Sequence, residues 1–208
     1  VICGEAELSM LELAREFDRS GRVDLEKVPG AAYLKDGRFF ANPRPEFIND
    51  LDSLPLPAAD LYRSEKTSFG SSKILTSRGC PGRCNFCANI CMGKKFRAHS
   101  PERVVEEIER LVREKGTSFL QISDDCFTAD AARVHRICDL LIARKVRVYW
   151  DAAGRVNTLQ DEALIVKMKK AGLVRVVLGV ETGSQEISDL MRTGTTQERA
   201  DRCTALLR

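Results

Sequence analysis

The chain has 208 residues, which allows one full domain and part of a second at about 150 residues per domain. Hydrophobic residues make up 43% and charged residues 30%, a balance that excludes intrinsic disorder and collagen-like sequence. The net charge is only +3, with basic and acidic residues interleaved, so nucleic-acid binding is not predicted. No apolar run approaches the ~18 residues of a membrane helix and no signal-peptide layout is present, so we expect a cytoplasmic protein.

The N-terminal part predicts a small helix-and-hairpin unit followed by a linker. Apolar residues recur at near-helical spacing from Glu5 to Ser20, so a helix is expected there. Residues 31–41 contain two short apolar segments around an Asp-Gly turn, which predicts a β-hairpin. Residues 42–72 hold four of the seven prolines and little periodicity, a pattern typical of an ordered linker.

From residue 73 onward, short apolar strands alternate with amphipathic helices. The predicted strands lie at 74–76, 119–122, 146–150 and 173–180, and the predicted helices begin after Ser100 or span 131–144, 161–171 and 186–207, the last broken near Gly194. Four βα units in succession imply parallel strands joined by right-handed crossovers. We therefore predict an α/β fold, either an open doubly wound sheet or part of a (βα) barrel.

The ends of the four predicted strands carry polar segments. In parallel α/β folds, ligands bind at the C-terminal ends of the strands. The segments are 77–80, 123–126, 151–155 and 181–184. Because the C-terminal ends of parallel strands meet at one edge, we expect these segments to converge on one face.

Four of the eight cysteines fall within twelve positions, at Cys80, Cys84, Cys87 and Cys91. The cysteine density of the whole chain is below that of disulfide scaffolds, so reduced thiols or metal ligands are expected. The first three form a C-x3-C-x2-C loop, and three thiolates can hold a four-iron cluster while leaving one iron open. Two alternatives remain: a closed electron-transfer cluster or zinc site with Cys91 as fourth ligand, and a redox pair of Cys84 and Cys87.

The cysteine loop, with Phe86 directly before its last cysteine, resembles the signature of the radical S-adenosylmethionine (SAM) superfamily. Asp124-Asp125-x-Phe127, Arg155 and the segment 179–184, each after a later strand, resemble the cobalamin-dependent branch of that superfamily. The resemblance covers roughly residues 73–208. It implies a partial (βα) barrel of the radical SAM type, truncated after its fourth βα unit.

A weaker resemblance covers the N-terminal part, on the segments 4–7, 28–33 and 50–57. It implies that residues 1–41 are the C-terminal remnant of a Rossmann-like cobalamin-binding domain, that 42–72 are a linker and that 73–208 are the radical SAM core. The chain lacks an initiating Met, so we expect a fragment of a longer protein. The histidine motif that would bind cobalt is absent, and neither His99 nor His135 replaces it.

The resemblance implies the cofactors and the chemistry. Cys80, Cys84 and Cys87 would bind a 4Fe-4S cluster, SAM would chelate the open iron, and reductive cleavage would give methionine and a 5′-deoxyadenosyl radical. Cobalamin would be held mostly by an upstream domain. The implied reaction is methyl transfer, with oxidative cyclisation or another radical rearrangement as the alternative. A flavodoxin or ferredoxin would donate electrons, and the substrate is an unidentified small molecule.

The resemblance also suggests SAM contacts, each with a structural alternative. Phe86 would pack near the adenine or anchor the loop in the core. Glu181 would accept hydrogen bonds from the ribose hydroxyls or the ammonium, or stabilise a helix N-terminus. Ser184 would assist or cap the last helix. One of Asp124 and Asp125 would contact SAM, or cap the next helix. Arg155 would face the SAM carboxylate or form a surface salt bridge. The remaining cysteines, Cys91, Cys126, Cys138 and Cys203, are not expected to be ligands.

Overall fold

The computed structural model describes residues 1–58, 61, 70–89 and 95–208. The chain divides into two compact units, residues 1–49 and 50–208, and the division falls inside the segment predicted as a linker. No helix of the described residues is long and apolar enough to cross a membrane.

The first unit is a helix beside a hairpin. Helix α1 spans Glu7–Ser20 and ends at Gly21, whose positive φ of 67° closes the helix C-terminus. Strands β1 (Ala32–Lys35) and β2 (Arg38–Ala41) pair antiparallel around an Asp36-Gly37 turn, as the sequence predicts. The helix begins two residues later than predicted.

The described residues of the second unit form six further strands and five α-helices. The strands are β3 (Ser71–Ile74), β4 (Ser77–Arg78), β5 (Arg97–Ala98), β6 (Phe119–Ile122), β7 (Tyr149–Arg155) and β8 (Leu173–Gly179). The helices are α2 (Pro101–Lys115), α3 (Ala131–Ala143), α4 (Glu162–Lys170), α5 (Gln185–Leu190) and α6 (Gln197–Leu206). The last predicted helix is thus two helices, separated around Gly194 as expected, where φ is 69°.

Strands β3, β6, β7 and β8 form one parallel sheet in that order, which confirms the predicted α/β class. Successive residues of a strand face opposite sides of the sheet. One row in register, Ile74, Ile122, Ala152 and Val176, lies in or against the core, with three of the four buried. The neighbouring row, Lys73, Gln121, Asp151 and Arg175, is polar throughout. The sheet therefore turns an apolar face to the core, and its opposite face carries this polar row.

The core lies between the apolar face and helices α2, α3 and α4. Trp150 is 1% exposed, and its ring meets the Phe127 ring edge-on at a centroid distance of 5.5 Å. The indole Nε1–H donates to the Ala171 carbonyl at 2.9 Å, so the polar atom of this large side chain is satisfied.

The third strand of the sheet lies later in the chain than predicted. It was expected at 146–150 with a polar loop at 151–155, whereas β7 runs from Tyr149 through Arg155. Asp151 is buried but pairs with Arg175 on β8, its carboxylate accepting from the arginine Nε at 3.0 Å. Pairing between two neighbouring strands overrides the low strand propensity of Asp-Ala-Ala-Gly. The first strand of the sheet also differs, since it spans 71–74 instead of 74–76.

Candidate functional site

The cysteine loop is fixed at both its base and its tip. It leaves the sheet through β4 and returns through β5, and these short strands pair antiparallel, Ser77 with Ala98 and Arg78 with Arg97. At the tip, Asn85 donates its backbone N–H to the Met191 carbonyl at 3.1 Å and its side-chain amide to the Leu190 carbonyl at 2.8 Å. The loop is therefore held against the C-terminal end of α5.

The thiols of Cys80, Cys84 and Cys87 are free and half-buried on this loop. Arg155, the last residue of β7, points its guanidinium at them: Nη1 lies 3.4 Å from the Cys84 sulfur and 4.0 Å from the Cys80 sulfur. A Cβ on Gly82 would lie 2.0 Å from this same Nη1. Gly82 therefore leaves the space through which the guanidinium reaches the sulfurs.

Cys80 is in an environment that favours its thiolate. A hydrogen bond from the Cys126 thiol, one from the Gly82 N–H at 3.4 Å and the Arg155 guanidinium lower the pKa of Cys80 to about 6, against the opposing effect of burial. The hydrogen bond to Cys80 and burial raise the pKa of Cys126, which is 0% exposed. The thiolate is the form that binds metal, so Cys80 suits a metal ligand.

The donor set fits an iron–sulfur cluster. Three half-buried thiols on one loop supply soft sulfur ligands, and one of them ionises easily. Among the described residues, no three His, Cys, Asp or Glu side chains converge as they would around a single metal ion. Cys91, which both closed-site alternatives require, lies outside the described residues.

Asp124 and Asp125 follow β6 and have different surroundings. Asp124 is 3% exposed, and its carboxylate accepts from the Thr76 N–H at 2.6 Å, the Thr76 hydroxyl at 2.6 Å and the Ser77 hydroxyl at 2.5 Å. Asp125 is exposed and accepts from the Gly79 N–H at 3.1 Å. Neither caps the following helix, whose N-cap is Asp130. Asp124 thus braces the strand that leads into the cysteine loop, and Asp125 remains accessible.

Glu181 lies at the end of β8 in a left-handed backbone conformation, with φ of 67°. Such a conformation is uncommon for a residue other than glycine and often marks a functional position. A Cβ on Gly179 would lie 2.6 Å from the Glu181 Oε1, so the exposed carboxylate folds back over the end of the strand. Ser184 caps α5 by accepting from the Ile187 N–H at 3.4 Å. Phe86 is 51% exposed and is not anchored in the core.

A sequence profile described as "Radical SAM superfamily" matches residues 74–208. The chain belongs to the radical SAM superfamily. The match begins at the last residue of β3 and covers the cysteine loop, strands β4 to β8 and every strand end described above.

Curated relatives of this superfamily member extend beyond it in length. The chain is 33% identical over 206 residues to an uncharacterized methyltransferase of Pyrococcus horikoshii, covering 96% of this chain and 44% of the relative. It is also 33% identical over 216 residues to an anaerobic magnesium-protoporphyrin IX monomethyl ester cyclase of Rubrivivax gelatinosus, covering all of this chain and 39% of the cyclase. The chain therefore spans less than half the length of these relatives.

Two solved structures share the fold of this radical SAM chain. One is the cobalamin-dependent SAM radical enzyme OxsB with aqua-cobalamin and SAM bound, with a TM-score of 0.81 at 22% identity over 98% of this chain and 31% of that one. The other is the radical SAM methyltransferase TsrM from Kitasatospora setae, with a TM-score of 0.78 at 20% identity over 99% of this chain and 42% of that one.

Sequence reasoning did not anticipate how Arg155 and Cys126 relate to the cysteine loop. The approach of Arg155 to the cysteine sulfurs was not anticipated, because the residue was placed in a loop instead of at the end of a strand. The effect of Cys126 on the pKa of Cys80 was also missed. Its only signal in the sequence was the place of Cys126 directly after Asp124-Asp125, at a strand end.

Proposed function

We propose that this chain is the cluster-binding and SAM-binding part of an enzyme that cleaves SAM reductively and uses the resulting radical for cobalamin-dependent methyl transfer. The observation that carries this proposal is the C-x3-C-x2-C loop, clamped between β4 and β5 at the C-terminal edge of a parallel sheet. The profile match over residues 74–208 supports the same class of chemistry.

The chain's own residues would bind the cluster and SAM. When bound, the 4Fe-4S cluster supplies one electron to SAM through its open iron. Cys80, Cys84 and Cys87 would hold the cluster, and Arg155 offers a guanidinium to sulfur or to the SAM carboxylate. The Glu181 carboxylate, exposed over the end of β8, is free to accept hydrogen bonds from SAM hydroxyl or ammonium groups.

Phe86, Asp125 and Ser184 complete the proposed SAM contacts. The half-exposed Phe86 ring, which is not anchored in the core, can stack on a base. The exposed Asp125 carboxylate is the member of the aspartate pair that a ligand can reach. Ser184 already caps α5, so the same hydroxyl would both cap the helix and contact SAM. Asp124 would act indirectly, by holding the strand that leads into the cysteine loop.

Cobalamin use is proposed on the structural likeness to OxsB and TsrM, one solved with aqua-cobalamin and the other with cobalamin. Residues 1–41 would be the end of a cobalamin-binding domain, 42–72 the linker and 73–208 the radical SAM core. A flavodoxin or ferredoxin would supply the electron in a reducing cytoplasm, and the substrate would be a small molecule. Oxidative cyclisation is the second candidate reaction, because the Rubrivivax cyclase is as similar in sequence as the methyltransferase.

Electron paramagnetic resonance of the anaerobically reconstituted, reduced protein tests the proposal. Adding SAM to a cluster with an open iron must change the spectrum, whereas a closed cluster would give the same spectrum with and without SAM. Cys84→Ala should lose the signal, and Cys138→Ala, which removes a cysteine buried in the core, should keep it. Bound zinc without iron in the wild-type protein would overturn the proposal.

SAM with a labelled methyl group separates the two candidate reactions in the cobalamin-loaded enzyme. Methyl transfer predicts label in the product, detected by mass spectrometry. Cyclisation predicts an unlabelled product, and 5′-deoxyadenosine is expected from both reactions.

A further inference from the structure

We propose that Asn85 is a positioning residue of the site: it ties the tip of the cysteine loop to the turn at the end of α5 (residues 190–194) and so fixes the cluster relative to the proposed SAM contacts at the start of that helix. The inference rests on the proposed function, because it requires that the loop bind a cluster and that SAM bind beside it. It assigns a role to a residue that is neither a cluster ligand nor a proposed SAM contact.

Asn85 is attached to the turn by two hydrogen bonds. Its backbone N–H donates to the Met191 carbonyl at 3.1 Å, and its side-chain amide donates to the Leu190 carbonyl at 2.8 Å. The residue directly follows Cys84 and lies two positions before Cys87. The two bonds therefore fix the part of the loop that carries the second and third proposed ligands.

The same turn also holds residues from the end of β7. Arg155 donates from Nη2 to the Thr193 carbonyl, while its Nη1 lies 3.4 Å from the Cys84 sulfur. Asn157 donates its side-chain amide to the Gly194 carbonyl at 2.8 Å. One short segment thus accepts hydrogen bonds both from the cysteine loop and from the residue that approaches its sulfurs.

Buried hydroxyl groups hold the turn in one shape. Ser188, Thr193 and Thr195 are all buried. The Ser188 hydroxyl donates to the Thr195 carbonyl at 2.8 Å and lies 2.6 Å from the Thr193 hydroxyl. The Thr195 N–H donates to Thr193 Oγ1 at 3.1 Å. This closed set of hydrogen bonds maintains the left-handed backbone at Arg192, where φ is 54°, and keeps the carbonyl groups of the turn in place.

Helix α5 connects the turn to the proposed SAM contacts. The helix has only six residues, so its two ends lie about 9 Å apart. Ser184 caps its first turn, and Glu181 lies three positions before this cap. Because Asn85 is bonded to the C-terminal end of the helix, the loop tip keeps a set distance from the groups at its N-terminal end.

Loss of the Asn85 amide should weaken SAM binding more than cluster binding. The three cysteines would remain, so the cluster should still form. SAM would have to reach the open iron and the strand-end residues at once, and its affinity then depends on the separation of the two groups. A loop tip without its amide anchor no longer fixes that separation.

The experiment is a SAM titration of the anaerobically reconstituted, reduced protein, followed by the change in its electron paramagnetic resonance spectrum. Asn85→Ala and Asn85→Leu remove the amide, the second with a side chain of similar shape, and Asn85→Gln retains the donor. The matched control is Asn157→Ala, which removes an asparagine amide bonded to the same turn, also at 2.8 Å, but outside the cysteine loop. Iron and sulfide content is measured for every variant.

We expect the dissociation constant of SAM to rise about threefold to tenfold in the two non-donor variants, the range that one hydrogen bond gives, with unchanged iron and sulfide content. Asn85→Gln should restore most of the affinity. Asn157→Ala should bind SAM as the wild type does, even if its melting temperature falls. The Asn85 side chain is exposed, so its variants should fold.

Three results would overturn the proposal. One is wild-type SAM affinity in a non-donor variant with full cluster content. Another is an equal loss of affinity in Asn157→Ala, since any loosening of the turn would then have the same effect. The third is loss of the cluster in both non-donor variants, because Asn85 would then be needed to form the cluster instead of to place it. A wild-type cluster whose spectrum SAM does not change is a different result, because it would contradict the proposed function itself.

Discussion

At the scale of single residues, Asp124 and Asp125 make a matched pair, because they are adjacent but differ in burial. Asp124→Ala would leave the Thr76 N–H and the hydroxyls of Thr76 and Ser77 buried without their acceptor. Each unsatisfied buried donor costs about 1–3 kcal/mol. We expect the free energy of unfolding, measured by urea titration of the metal-free protein, to fall by about 3 kcal/mol or more.

Asp125→Asn is the control, and it also tests the proposed SAM contact. The side chain is exposed, so the free energy of unfolding should change by no more than about 0.5 kcal/mol. SAM affinity of the reconstituted protein should fall, because an uncharged amide replaces the carboxylate. Equal losses of stability in Asp124→Ala and Asp125→Asn would contradict the structural role of Asp124.

The sequence predicts the ligand cysteines and the strand-end position of the aspartate pair, but not which aspartate turns inward. Spacing identifies the loop because C-x3-C-x2-C is a local pattern. The orientation of Asp124 depends on Thr76 and Ser77, almost fifty positions earlier in the chain.

At the scale of elements, the turn from α4 into β8 depends on Gly172. Its φ is 103°, and a Cβ there would lie 2.2 Å from the Val148 carbonyl oxygen. Gly172→Ala should therefore strain the backbone and also displace the segment before β7. We expect a loss of more than about 2 kcal/mol in the free energy of unfolding.

The comparison variant is Gly116→Ala, at the end of α2. Gly116 also has a positive φ, 63°, but a Cβ there would meet nothing within 4 Å. Only the left-handed conformation then opposes the substitution, at a cost of about 1–2 kcal/mol. A loss for Gly172→Ala no greater than that for Gly116→Ala would show that the close approach to Val148 is unimportant.

Helix α2 contains a buried carboxyl group whose titration should affect stability. Burial raises the pKa of Glu107, and Arg103 and Arg110 only partly offset this effect. An acid whose pKa is raised in the folded state loses stability as the pH rises from its unfolded pKa, near 4.5, through its folded pKa. Glu107→Gln should therefore raise the melting temperature at pH 7 and leave it unchanged near pH 4. A lower melting temperature at pH 7 would show that the ionised carboxylate is stabilising.

The element that sequence patterns located least well is β7. Its C-terminal residues, Asp151 through Arg155, have the composition of a loop, and the periodicity of apolar residues favoured a strand that ends at Trp150. The strand continues because β6 and β8 pair on either side and Arg175 neutralises Asp151. The starts of helices α2, α3 and α4 were easier to predict from the sequence, because each helix has its own N-capping residue. These residues are Ser100, Asp130 and Asp161, respectively.

At the scale of the whole molecule, the two faces of the sheet have different roles. The apolar face packs on α2, α3 and α4, and the other carries the polar row of Lys73, Gln121, Asp151 and Arg175. A row of polar residues in register across four strands, three of them charged, is unsuited to a dry core. Arg155 lies on the same face of β7 as Asp151, so the proposed SAM site is at the C-terminal end of this polar row.

Binding of SAM should stabilise the second unit only when the cluster is present. A ligand at 100 times its dissociation constant stabilises a folded protein by about 2.7 kcal/mol. For a unit of this size, that corresponds to a rise of about 5–10 °C in melting temperature. We expect this rise on adding SAM to the reconstituted protein and no rise in Cys84→Ala, measured anaerobically by differential scanning calorimetry. An equal rise in Cys84→Ala would mean that SAM binds through Arg155, Glu181 and their neighbours without the open iron.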